Sequence, residues 1–127
     1  MGVQQIAVYG AGGFARELAW LVQSCNGTED LYQVVCFIDD NPATHGTLIN
    51  KIPSMSLATA HQRYPDAAVV IGVGAPKIRQ SIAQKVAAAG FCFATIIHPR
   101  TEMSQWVKVG EGTVICSGNI LTTNITL

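Results

Sequence analysis

Residues 4–25 read QQIAVYGAGGFARELAWLVQSC, from Gln4 to Cys25. The stretch changes period halfway. Gln4–Tyr9 is a short, largely apolar run that ends at Gly10, the pattern of a buried strand. From Gly13 onward the apolar positions are Phe14, Leu18, Leu21, Val22 and Cys25, which is the spacing of one helix face. Three glycines within four residues separate the two. A strand, a glycine turn and a helix in direct succession predict an α/β unit whose turn brings backbone N–H groups to the surface.

The rest of the chain repeats the alternation. Asn26 and Gly27 stop the helix. Residues 33–38, QVVCFI, are β-branched and apolar and predict a second strand. The polar run DDNPATHGTLINKIPS that follows, with two prolines and a glycine, reads as a loop. Ser56 suits the N-cap of a short helix with Leu57, Ala60 and Tyr64 on one face. Residues 67–73, AAVVIGV, predict a third strand. Gly74 and Ala75 turn the chain, and Pro76 suits a first helical position. Ile78, Ile82 and Val86 step by four along the next helix, which Gly90 ends. Residues 91–97, FCFATII, predict a fourth strand, broken at His98-Pro99. Apolar strands alternating with amphipathic helices imply a parallel sheet covered on both faces, with strand order 2-1-3-4.

The tail has another period. Met103, Val109, Ile115, Leu121 and Leu127 recur every six residues, with small or polar residues between most of them. Neither a helix nor a lone strand repeats in six. A three-sided β-helix does, with one hexad per face, apolar residues inward, and Gly or Asn at the corners. The expected fold class is therefore α/β: a small Rossmann-like parallel sheet of four strands over residues 1–100, then the first coil of a left-handed β-helix over 101–127. Coils bury their inward residues only against other coils. The chain is accordingly expected to be the front part of a longer protein.

Composition narrows the function. The chain has 127 residues, is 49% hydrophobic and 13% charged, and its eight basic and eight acidic residues cancel. No net field favours nucleic acid or an anionic membrane. No apolar run approaches the ~18 residues of a membrane span, and the N-terminus lacks a signal-peptide pattern; the cytosol is the expected compartment. Cys25, Cys36, Cys92 and Cys116 have no metal spacing and read as buried thiols. His45, His61 and His98 share no constellation, and His61 reads as exposed on its helix. No catalytic residue and no metal site is predicted within the chain.

The candidate binding residues gather at two turns. Gly10, Gly12 and Ala15 form a GxGxxA arrangement after a strand and before a helix, the context in which a phosphate is cradled. Asp39 and Asp40 end the second strand, where an acid can accept from a ribose hydroxyl, although an Asp-Asp-Asn run also suits a solvated turn. Gly72 and Gly74 end the third strand, and Lys77 and Arg79 follow in the first turns of a helix. Cations there oppose the helix dipole and call for an anion, unless they simply point to solvent.

Taken together, YGAGGFARE, FIDDNP, VIGVGAPKIRQ, IIHPRT and GEGTVI resemble the bacterial sugar acyltransferases of the hexapeptide-repeat superfamily. The closest subgroup is the sialic acid O-acetyltransferase and UDP-4-amino-sugar N-acetyltransferase family. The resemblance covers the whole chain. It implies an N-terminal domain that binds the acceptor, a nucleotide-sugar or sugar, and a β-helix that forms a homotrimer and holds acetyl-CoA. A histidine of that helix acts as general base. By resemblance, Gly12, Gly13 and Phe14 match the nucleotide-contacting turn, with Gly10 beginning it; Phe14 stands where many members have His. Asp39 and Asp40 match the acidic pair near uracil and ribose, and Gly74 and Lys77 match the second contact edge. The catalytic histidine and the CoA site have no counterpart in these residues, so the chain alone is expected to be inactive. Two other readings use the same turn: an NAD(P)- or CoA-binding half-Rossmann module, and a non-enzymatic nucleotide-sensing or trimerisation module.

Overall fold

The computed structural model describes residues 2–27, 30–116, 118–121 and 126–127. Strand β1 (Gln4–Tyr9) runs into helix α1 (Gly13–Ser24), and β2 (Tyr32–Ile38) follows. A single 3-10 turn at Pro42–Thr44 leads to two short strands, β3 (Leu48–Ile49) and β4 (Ile52–Met55). Next come α2 (Leu57–Arg63), β5 (Ala68–Ile71), α3 (Pro76–Ala88) and β6 (Cys92–Phe93). The C-terminal part holds β7 (Ile96–Ile97), β8 (Glu102–Met103), β9 (Val114–Ile115) and β10 (Ile120–Leu121). Among the described residues, no helix is long and apolar enough to cross a membrane.

The main sheet has six strands in the order β3-β4-β2-β1-β5-β6. Its ladders are parallel except for β3 against β4. The four strands read from the sequence lie next to one another in the expected order. The expected count was too low, because residues 48–55 form a hairpin inside the segment read as loop. Asn50 and Lys51 both take positive φ, 50° and 67°, so a two-residue turn of the primed type joins the strands. The usual glycine is absent, and Pro53 lies in β4, which hid the hairpin from a pattern reading.

Strand alternation sorts the apolar run of β1 onto two faces despite its continuous hydrophobicity. Ile6 and Val8 pack with Leu18, Val22 and Phe37 under α1. Ala7 and Tyr9 pack with Ile38, Ala60, Ile82 and Val86 under α2 and α3. Close approach of α1 needs small residues: a Cβ built on Gly72 would lie 2.6 Å from the Ala15 Cα and 2.7 Å from its Cβ. The Ser56 hydroxyl accepts from the Thr59 N–H and caps α2. Ile82 and Val86 are buried as expected, but Ile78 is 56% exposed. It sits in the first turn of α3, past the end of β5 that would have covered it.

The expected fourth strand divides. Cys92–Phe93 pairs with β5, whereas Ile96–Ile97 pairs with β9. Parallel pairing then recurs at an offset of eighteen residues: 96 to 114, 102 to 120 and 108 to 126. Gly112 and Gly118, six apart, both take φ +80°, a left-handed corner that glycine adopts without strain. The apolar step of six is buried unevenly. Ile115 is 5% exposed, yet Met103 and Leu127 are 41% and 46% exposed; Val109 and Leu121 are half-buried. Inward burial at every step was expected; among the described residues only Ile115, paired with Ile97 of β7, achieves it. Residues 122–125 of the third hexad lie outside the described residues. The thiols divide as well: Cys25 and Cys36 are buried, whereas Cys92, in the two-residue edge strand β6, and Cys116, just past β9, are exposed.

Candidate functional site

Strands β1 and β5 end side by side, with Tyr9 opposite Ile71. The chain turns from β1 toward β2 on one side, and β5 lies on the other. This is the switch point of the sheet, where a crevice opens outside the strand ends. Two backbone bonds define its floor: Gly72 N–H to Tyr9 C=O at 2.8 Å and Gly10 N–H to Ile38 C=O at 2.6 Å.

The glycines here have different duties. Gly10 has φ +111°, and a Cβ on it would meet the Gly72 carbonyl oxygen at 3.1 Å and the Ala15 Cβ at 3.3 Å; the fold itself demands glycine. Gly12 has φ −82° and is exposed, with nothing within 4 Å of an added Cβ. The fold does not require glycine there, and a ligand approaching the backbone would. Gly13 opens α1 and is equally exposed. No side chain caps this helix end and no acid lies in its first turn, so its amide groups face outward with the positive end of the dipole. Arg16 adds a cation that the sequence reading passed over. Its Nε donates to the Gly12 carbonyl at 3.3 Å, which folds the guanidinium back along the turn. The signal was present as a basic residue one helical turn after Gly12.

Phe14 is 43% exposed. It lines a hollow of about 250 Å³ with Trp20 and Cys116, on the flank of α1 beside the C-terminal strands. On the opposite edge, Gly74 and Lys77 are exposed at the start of α3, which also lacks a capping side chain and an acid in its first turn. Among the described residues Lys77 makes no hydrogen bond or ion pair. Arg79 differs from the expectation of a free cation: its Nη1 donates to the Ile71 carbonyl at 3.2 Å.

The two acids at the end of β2 occupy different surroundings. Asp39 accepts from the Asn41 N–H at 3.3 Å through one oxygen and from the Thr44 hydroxyl at 3.0 Å through the other. Thr44 also meets the buried Ser54 at 3.1 Å. Asp40 accepts from the Tyr9 hydroxyl, and its other oxygen lies 3.1 Å from the Lys85 ammonium. The Tyr9 bond first, then Lys85, hold the Asp40 carboxyl below its ordinary value. Asp40 in turn raises the Lys85 ammonium, and burial raises the Tyr9 phenol.

The three histidines serve the framework. The His45 Nε2 lies 2.7 Å from the Asp39 carbonyl. The His98 Nδ1 accepts from the Arg100 N–H at 3.1 Å, and the ring is buried where the chain passes from the sheet to the C-terminal strands. His61, expected on an exposed face, is half-buried and packs edge-on against Phe91 at 5.0 Å. A separate cavity of about 370 Å³ opens between α3 and the Glu111–Gly112 corner, over Phe93. The switch-point site thus offers helix-end amides, two exposed cations and an acid. These are groups that an anion and hydroxyls could pair with, and among the described residues the turn holds no paired nucleophile and base.

Comparison with known proteins places this geometry. Residues 5–86 match the model of the PglD N-terminal domain. A UDP-N-acetylbacillosamine N-acetyltransferase of Bacillus subtilis is 26% identical over 115 residues, 89% of this chain and 51% of that protein. The chain thus spans about half the length of the curated relative it matches. The acetyltransferase domain of PglB from Neisseria gonorrhoeae, solved with acetyl coenzyme A, is similar with a TM-score of 0.72 at 27% identity, over 98% of this chain and 62% of that one. PerB from Caulobacter crescentus, solved with CoA and GDP-perosamine, has a TM-score of 0.78 at 22% identity, over 99% of this chain and 57% of that one; at that identity the likeness is one of fold. With the match covering 5–86, most of the sheet and both of its glycine turns, the chain belongs to the PglD N-terminal domain family.

Proposed function

We propose that this chain is the acceptor-binding portion of an acetyl-CoA-dependent sugar O- or N-acetyltransferase, and that its acceptor is a nucleotide-activated sugar. The observation that carries the reading is the open turn at Gly12–Gly13. It is uncapped, has Arg16 folded along it, and lies at the switch point opposite Gly74 and Lys77. A diphosphate is the ligand that such a pair of helix ends accommodates. Gly10 shapes the turn, Gly12 and Gly13 meet the phosphates, and Lys77 approaches them from the other helix. The Asp39–Asp40 end of β2 reads the ribose side. Phe14 contributes apolar surface at the flank of the turn.

In the whole protein, residues 101–127 are proposed to begin a left-handed β-helix, with the boundary near residue 100. The eighteen-residue offset supports this, since three hexads make one coil. That helix would trimerise the protein, hold acetyl-CoA and supply the histidine that removes a proton from the acceptor amine or hydroxyl as it attacks the thioester. The cytosol is the compartment that supplies both substrates. By itself the chain is expected to transfer no acetyl group, because the histidine proposed as general base lies in the β-helix and the three histidines here are engaged in the framework.

Isothermal calorimetry against UDP, UDP-sugars, NAD and CoA tests the reading. Heat from UDP or a UDP-sugar is expected. Heat from NAD alone would replace this reading with that of a dinucleotide-binding module.

A further inference from the structure

We propose that the hollow at the C-terminal end of α1 is a second binding site, one that takes a small aromatic monocarboxylate. It stands independently of the nucleotide reading. Helix α1 has 12 residues, so this end lies about 18 Å from the Gly12–Gly13 turn.

The hollow measures about 370 Å³ and opens between the end of α1 and the passage at His98–Arg100, with Trp20, Ser24 and Cys25 on the helix side. Both walls are held by the fold. The Cys25 thiol lies 3.9 Å from the Ile97 carbonyl oxygen. The His98 N–H donates to the Ile115 carbonyl at 3.0 Å, and the Arg100 carbonyl accepts from the Gly118 N–H at 3.2 Å.

His98 supplies a fixed donor. Its ring is 8% exposed. Its Nδ1 accepts from the Arg100 N–H at 3.1 Å, which places the proton of the neutral imidazole on Nε2. Among the described residues every buried side-chain nitrogen and oxygen has a partner, and the His98 Nε2 has none among them. Nε2 is therefore reached from outside the fold, and the hollow that the ring lines is the opening beside it. A donor on a ring more than nine-tenths buried calls for an acceptor there.

The charge of the lining selects the acceptor. Arg100 is exposed, and among the described residues its guanidinium makes no hydrogen bond or ion pair. No acid lines the hollow. Burial raises the Cys25 thiol, which keeps it protonated and uncharged. The negative end of the α1 dipole opposes an anion, but the Leu21, Val22 and Gln23 carbonyls are already engaged by Ser24, Cys25 and Asn26. One guanidinium and one neutral N–H match a carboxylate, which takes a bidentate pair from arginine and a further bond from the imidazole. A phosphate dianion would leave one charge without a counterpart in a half-enclosed space. Trp20 also lines the hollow, although it is 67% exposed. Its indole offers a face on which a ring can stack, and this makes the carboxylate an aromatic one.

Nitrogen-15 NMR on the full chain tests the site through the Trp20 indole N–H and the His98 Nε2, with benzoate as the probe. Both resonances should move on one saturation curve, with a Kd on the order of 1 mM. Benzamide, which lacks the charge, should bind at least about tenfold more weakly. Acetate, which lacks the ring, should lose about fivefold. Arg100→Gln should weaken benzoate about tenfold and leave the His98 Nε2 resonance of the free chain in place, whereas Arg63→Gln should bind as the parent does. Benzamide binding as well as benzoate, or Arg100→Gln binding like the parent, would overturn the assignment. So would shifts that never saturate, or a Trp20 shift with His98 Nε2 unmoved. UDP competing with benzoate for the same two resonances would make the hollow part of the nucleotide site and overturn its independence. A chain that ignores UDP yet saturates with benzoate would defeat the nucleotide reading and leave this site standing.

Discussion

The sheet and the C-terminal strands solve the same problem with different means. In the sheet, β1 is flanked by β2 and β5 and covered by helices on both faces, and Ile6, Ala7 and Val8 are fully buried. In the C-terminal part each strand is two residues long and meets a single partner eighteen residues away. There Ile115 is buried, while Met103, Ile120 and Leu127 are more than 40% exposed. A sheet with helices closes its own core. Each of these short strands has one ladder partner among the described residues, so most of its apolar side chains stay partly uncovered. The lesson is that an equally regular apolar pattern yields unequal burial, according to where its partners must come from.

Substitutions at the two regions should expose that difference. The largest effect is expected from Gly72→Val, since a Cβ there would overlap the backbone of Ala15. Overpacking of this kind should cost about 3 kcal/mol or more, read from urea denaturation. Ile115→Ala should cost about 2 kcal/mol, whereas Leu127→Ala should change stability by less than about 0.5 kcal/mol. Equal losses at the two positions would break the comparison. Gly12→Ala separates fold from function: stability should hold within about 0.5 kcal/mol, because the space is open, but UDP affinity should fall about tenfold as the turn loses its close approach.

Smaller effects follow at the sheet margin. Lys51→Gly relieves a positive φ of 67° and should stabilise the chain by about 1 kcal/mol. The acid dependence of the Asp40–Lys85 pair is smaller still. The Asp40 carboxyl is depressed in the folded chain, so its contribution is present above the ordinary carboxylate range and is lost as pH falls through the depressed value. The Lys85 ammonium is raised, so its share is full below the ordinary lysine value and is lost as pH rises through the raised one. Both side chains are about half exposed, which limits the pair to under about 1 kcal/mol. The gap in denaturation midpoint between the parent and Lys85→Met should therefore be flat at neutral pH and close toward acid; a gap that widens in acid would contradict the sign.

Much of this was legible in the chain. The period switch at Gly10–Gly13 located the turn, and the alternation of apolar strands with amphipathic helices pointed to the order of the four main strands. The hairpin at residues 48–55 was not legible, because Asn50 and Lys51 enter the left-handed region without a glycine to announce it. Arg79 was misjudged because its partner is a backbone carbonyl, Ile71, eight residues earlier, and no side-chain pattern records that. Arg16 was overlooked because a basic residue on a helix ordinarily points to water.

Local chemistry settled three of the main strands, the helices, the glycine turn and the six-residue step, since each depends on periods and backbone freedom that neighbouring residues carry. Tertiary structure alone decided which acid pairs with a lysine, which cation is spent on a carbonyl and which residue of the six-residue step is buried. Those outcomes depend on residues far apart in the chain, such as Asp40 and Lys85 or Gly72 and Ala15. Their meeting is a property of how the layers pack, and no local window contains it.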